Sequence, residues 1–155
     1  MTEGDRVMRQ LVYTMRFSGR ATPVGPDGSV LAMVATAPGW TCISDVGSAG
    51  ATSDVRCPES GDVSFTSELT LTGATSFQEV GTIAFGAGHR LRFATVGSGY
   101  LGPGPGPADR HGAALWRVEG GDGQFAGARG LITSNLLVGD DLAVIDHHLG
   151  VLFMP

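Results

Sequence analysis

The side chains in this chain able to do chemistry are few: four histidines, two cysteines, and some acids and arginines set inside otherwise apolar runs. His147 and His148 are adjacent, and neighbours on an extended strand face opposite sides, so the pair cannot serve one site. Neither His-x-His nor His-Glu-x-x-His spacing occurs, and Cys42 and Cys57 have no histidine nearby, so spacing predicts no metal centre. His111 follows Asp109 and Arg110 where a Gly-Pro tract re-enters a strand. Under a lid loop it would meet a ligand; otherwise it is a solvated loop end. Glu68 and Glu79 lie in well-alternating segments. If the polar face of 64–70 turns inward, Glu68 becomes a buried carboxyl whose pKa rises toward that of a useful general acid. For Glu68 the outward alternative is favoured, because burying Val63, Phe65 and Leu69 is worth ~1.5–3 kcal/mol each.

Arg92 and Arg117 fall mid-strand, where an arginine either clamps a carboxylate or pairs on the outer wall. Asn135 interrupts the run Leu131, Ile132, Leu136, Leu137, and there it orients a ligand carbonyl or caps a bulge. With Tyr100 added, the candidate catalytic residues are Glu68, Tyr100, His111, Arg92 and Asn135. Trp40, Phe65, Phe93 and Trp116 are candidate pocket walls, the two indoles also wanting a partner for the N–H. Cys42 and Cys57 bracket a stretch rich in Gly, Ser and Asp; free thiols are expected, with a disulfide as the alternative.

Several function classes are excluded. All ten basic residues are arginine, so no side chain can form a Schiff base and no P-loop lysine exists. Gly97-Ser98-Gly99-Tyr100-Leu101-Gly102 satisfies the dinucleotide fingerprint, but a Gly-Pro tract stands where the helix must begin. No Gly-x-Ser-x-Gly elbow appears. A net charge of −5 and a pI near 5.2 argue against nucleic acid as a partner. No apolar run approaches the ~20 residues that span a bilayer, and the first residues lack a signal peptide's apolar core. The expectation is a cytoplasmic protein without cofactor and without a membrane partner.

The elements that would position these groups read as strands. At 155 residues, 25 of them glycine, the chain suggests one domain with many turns. Residues 1–9 read as a flexible arm. Residues 11–18 alternate as a strand, although Met8, Leu11, Val12 and Met15 also fit helical spacing; the Tyr, Val, Thr and Phe content decides for the strand. Further strands are expected over 30–37, 63–71, 76–85, 89–96, 111–119, 131–138 and 143–153, with a short one at 40–46. An irregular loop is expected over 47–61 and a Gly/Pro-rich loop over 97–110. Residues 120–130 read as a tight corner anchored by Phe125. The short links fit antiparallel hairpins. Eight or nine such strands without a helix predict an all-β fold, a closed antiparallel barrel that removes its own edges.

Gly88-His89 at the head of one strand, with Gly120-Gly121-Asp122-Gly123-Gln124-Phe125-Ala126-Gly127-Ala128-Arg129-Gly130 between two others, resembles the conserved hairpin of the allene oxide cyclase and dirigent proteins. Members carry Gly-Gly-x-Gly-x-Phe, then a small residue and a glycine. The likeness covers residues 86–138, about a third of the chain. It implies an eight-stranded calycin-like barrel in a bacterial member of the superfamily. It also implies a cofactor-independent cyclase or isomerase of secondary metabolism, templating ring formation or rearrangement of an apolar, polyketide-like or fatty-acid-derived substrate. A non-catalytic binding protein for a hydrophobic small molecule is the alternative. Plant members are trimers, which implies a homo-oligomer here, dimer or trimer. The polar residues that act in allene oxide cyclases lie mainly in N-terminal strands with no alignable counterpart in this chain, so no catalytic residue is carried over.

Overall fold

A computed structural model describes residues 8–37, 41–56 and 63–155, and the side chains of 8–37, 45–53 and 63–155. Its strands are β1 (Arg9–Val24), β2 (Val30–Ala37), β3 (Thr41–Gly47), β4 (Gly50–Arg56), β5 (Val63–Leu71), β6 (Ser76–Phe85), β7 (Arg90–Thr95), β8 (Gly99–Pro103), β9 (Arg110–Asp122), β10 (Arg129–Val138) and β11 (Ala143–Met154). Neighbours run β1-β2-β5-β6-β7-β9-β10-β11, and β11 pairs back onto β1, so eight antiparallel positions close into a barrel. The expected barrel is the one observed. Closure leaves the eight positions without an unpaired edge. The helical alternative for the first segment is resolved as strand: Leu11 faces Leu152 and Phe17 faces Asp146 in an unbroken ladder with β11.

The Gly/Pro segment differs from expectation. Gly99–Pro103 forms β8, which pairs with Ser76 and Phe77 of β6 and with 110–113 of β9. β7 and β8 therefore share one barrel position, interrupted at 96–98. What orders this stretch is packing on the aromatic ring of Phe77, which lies directly over Gly99. Pro103 sits at the strand end, where a missing N–H costs least. The loop proper is 104–109, pinned by Gly104 N–H donating to the Asp109 carbonyl at 2.8 Å.

The second difference lies between β2 and β5. β3 and β4 form a separate two-stranded ribbon from Thr41↔Arg56 to Gly47↔Gly50, where an irregular loop was expected over 47–61. Residues 45–53 are exposed, so the ribbon buries no face there and leaves no apolar alternation in the sequence. Trp40 and Cys57 lie outside the described residues, and so do its pocket role and the bonding of the two cysteines.

Alternation places one face of every barrel strand inside. Phe17, Met33, Phe65, Leu69, Phe77, Ile83, Leu91, Trp116, Ile132 and Leu152 are buried there. The corner at 120–130 is as expected: Gly123–Phe125 makes one 3-10 turn, and the Phe125 ring is fully buried 5.0 Å from that of Phe85. Gly123 takes φ +64 and approaches the Gly88 carbonyl so closely that a Cβ would collide with it. His89 Nδ1 accepts the Gln124 backbone N–H at 3.0 Å, tying the β6–β7 turn to this corner. No helix of the described residues is long and apolar enough to cross a membrane.

Candidate functional site

The five polar candidates do not meet inside the barrel. Glu68, Arg92, Tyr100, His111 and Asn135 are exposed on the outer wall. Each is flanked in sequence by inward-facing neighbours: Leu69 beside Glu68, Leu91 and Phe93 around Arg92, Gly99 and Leu101 around Tyr100, Gly112 beside His111, Ser134 and Leu136 around Asn135. With a side-chain period of two, burying those neighbours turns the candidates outward. Arg92 spends its charge on Asp122, 3.7 Å away on the surface. The Gly-Pro loop folds over a cleft of about 580 Å³ lined by Leu101, Asp109 and Arg110 among others; His111 is not part of its lining.

The aromatic candidates do converge. Phe93 and Trp116 stack with ring centroids 3.9 Å apart, and Phe65 lies parallel to both at 5.7 Å. Against this stack sits His148. Its imidazole meets Trp116 edge-on at 4.8 Å, Phe65 edge-on at 5.4 Å and Phe17 at 4.5 Å. Such offset and T-shaped contacts hold an imidazole in one orientation within an apolar wall.

Polar groups on β5, β6, β10 and β11 complete the interior. His148 Nε2 stands 3.0 Å from Asp146 Oδ2, without the geometry of a hydrogen bond. Asp146 is held from its other side by Ser134, whose hydroxyl donates to Oδ1 at 2.6 Å. β11 sets Asp146 and His148 two residues apart on one face, and β10 places Ser134 opposite His148 in the ladder. Glu79 is buried on β6, its Oε1 accepting the Ser67 hydroxyl at 2.6 Å. Its backbone is fixed where β7 ends: the Glu79 N–H donates to Thr95 Oγ1 at 2.8 Å, and that hydroxyl donates back to the Glu79 carbonyl at 3.0 Å.

The electrostatics follow from the burial. Desolvation first, and the negative charge of Asp146 second, push the Glu79 carboxyl up to about 8, partly offset by the Ser67 hydroxyl. Glu79 is therefore a neutral acid at pH 7. The same two causes, in the same order, hold the Tyr13 phenol well above the ordinary tyrosine range. Tyr13 reaches inward because Gly150 faces it across the β1–β11 ladder; a Cβ on that glycine would overlap the ring. The Tyr13 hydroxyl, Trp116 Nε1 and both His148 ring nitrogens are buried without a hydrogen-bond partner among the described residues. Buried polar groups are nearly always paired, so these four atoms are interior groups with hydrogen-bonding capacity to spare.

The signal that would have found Glu79, Asp146 and His148 is phase. Glu79 is in step with Phe77 and Ile83, and Asp146 and His148 are in step with Val144 and Leu152, all inward. Among the described residues no group of three or more His, Cys, Asp or Glu could hold a metal ion.

No family model matches the chain, and no curated protein matches it. Among solved structures it is similar to a pterocarpan synthase dirigent protein, with a TM-score of 0.55 at 16% identity over 100% of this chain and 94% of that one. At that identity the likeness is one of fold: the two share the dirigent-type closed barrel.

Proposed function

We propose that the protein is a cofactor-independent isomerase or cyclase that folds an apolar small molecule into a reactive shape inside the barrel. The observation that carries this reading is the interior cluster: a neutral Glu79, the Asp146–His148 pair, and the unpartnered donors of Tyr13 and Trp116, all walled by stacked aromatics. Positioning and exclusion of water supply most of the acceleration in such a site. Glu79 is suited to give a proton to a substrate oxygen, and the Asp146–His148 pair to take one from carbon, so a rearrangement balances without oxidant or reductant. The shared barrel of a dirigent protein supports the templating role.

The reading is tested by incubating the purified protein with polyene ketones and epoxides and resolving the products by chiral chromatography. The expected outcome is a product ratio that departs from the uncatalysed one and returns to it in Glu79→Gln. Ratios identical with and without protein would sink the catalytic reading. Non-catalytic binding is the second reading, favoured by the two serine hydroxyls that already satisfy the carboxyls of Glu79 and Asp146. Recovery of an unchanged ligand from a saturable complex would decide for it.

The outer wall supports a homo-oligomer, a dimer or trimer. Val12, Leu131, Leu149 and Phe153 are exposed on the adjoining strands β1, β10 and β11. Apolar side chains grouped in this way mark a surface that another protein covers.

A further inference from the structure

The placement of charge inside and outside the barrel narrows the ligand class. Two carboxyl groups, Glu79 and Asp146, are buried on the inner face. The chain has no lysine. Arg16, Arg20, Arg90, Arg92, Arg117 and Arg129 are exposed on the outer wall, and Arg9 is exposed at a strand end. Arg110, half-buried where β9 begins, donates to the Leu101 carbonyl at 3.4 Å and lines the loop cleft. The one interior group able to carry a positive charge among the described residues, His148, lies 3.0 Å from Asp146, which already matches that charge. Besides the His148 ring nitrogens, the buried unpartnered groups are two donors, the Tyr13 hydroxyl and Trp116 Nε1–H.

We infer that the interior site takes uncharged, flat molecules bearing a carbonyl or ether oxygen and discriminates against carboxylates. The inference rests on the reading of this interior as the ligand site. A neutral acceptor oxygen can pair with the Tyr13 hydroxyl or with Trp116 Nε1–H, and an apolar ring system suits surroundings made of Phe17, Phe65 and Phe93. A carboxylate would bring a further negative charge beside Asp146 in a medium of low dielectric, with no interior guanidinium among the described residues to offset it. Of the two substrate classes implied by the sequence resemblance, neutral polyketide-like molecules suit this interior better than those fatty-acid-derived molecules that keep a carboxylate.

Three probes of one ring system separate the contributions: naphthalene, 2-acetylnaphthalene and 2-naphthoate, titrated into the full chain at pH 7 by calorimetry. The expected order is ketone tightest, hydrocarbon weaker, carboxylate weakest, with a gap of about tenfold or more between ketone and carboxylate. Trp116→Phe keeps an aromatic side chain, though a smaller one, and removes one donor, so the ketone's advantage over naphthalene, measured on the same variant, should shrink. Asp146→Asn should narrow the gap between ketone and carboxylate. Naphthoate binding as tightly as the ketone, with both weakened by Trp116→Phe, overturns the charge inference and leaves the interior site standing. No binding of any probe, or binding indifferent to Trp116→Phe, overturns the interior site and the inference with it.

Discussion

At the scale of single residues, Glu79 is where folding and chemistry pull against each other. Its carboxyl rises from 4.5 to about 8 on folding, chiefly because burial penalises the charged form. Between those two values the folded chain keeps a proton that the unfolded chain has released. Glu79's contribution to stability is thus intact below pH 4.5 and is lost as the pH rises through about 8. Glu79→Gln removes the titration while keeping the shape. Urea denaturation should show the variant gaining on the parent between pH 5 and pH 9, by roughly 3–5 kcal/mol at the upper end. A stability difference that stays flat with pH would mean the carboxyl is solvated after all. An apolar residue would be cheaper at this position. Glu79 was visible in the sequence beside Glu68; what separated them was strand phase.

At the scale of elements, the corner between β9 and β10 is the most local piece of the fold. Its glycines allow the turn, Phe125 plugs the end of the core beside Phe85, and His89 closes it from the neighbouring hairpin. Phe125→Ala should cost about 3–5 kcal/mol in chemical denaturation, as for other fully buried aromatic rings. A loss under about 1 kcal/mol would show that the ring is a passenger and not an anchor. This corner was legible because an aromatic residue among five glycines has no use in a solvated linker. β8 was hidden because its residues, Gly99 to Pro103, carry turn-like composition and become a strand only through Phe77 and the flanking ladders. The β3–β4 ribbon was hidden for another reason: exposed on both sides over 45–53, it writes no burial pattern.

At the scale of the whole molecule, pairing of β11 with β1 joins the two ends of the described barrel and turns a row of hairpins into a closed wall with two environments. The outside keeps a contiguous apolar area, with Val12 58% and Leu149 45% exposed. Sedimentation equilibrium should show a dimer or trimer at micromolar concentration, and Leu149→Glu should shift it toward monomer with an unaltered far-ultraviolet circular dichroism spectrum. A monomer at every concentration would remove the oligomer from the proposal. The sequence by itself determined the strand periodicity, the hairpin connectivity and the aromatic stock of the core. It did so because these are written in spacings of two and in short glycine turns, both local. Apolar alternation already says which side of a strand goes in, as it did for Glu68, but which inward groups of different strands come near one another was decided only by closure. Closure turned Glu68, Arg92, Tyr100, His111 and Asn135 out to water and brought Glu79, Asp146 and His148 together from β6 and β11. No spacing along the chain records that meeting, because it lies across the barrel.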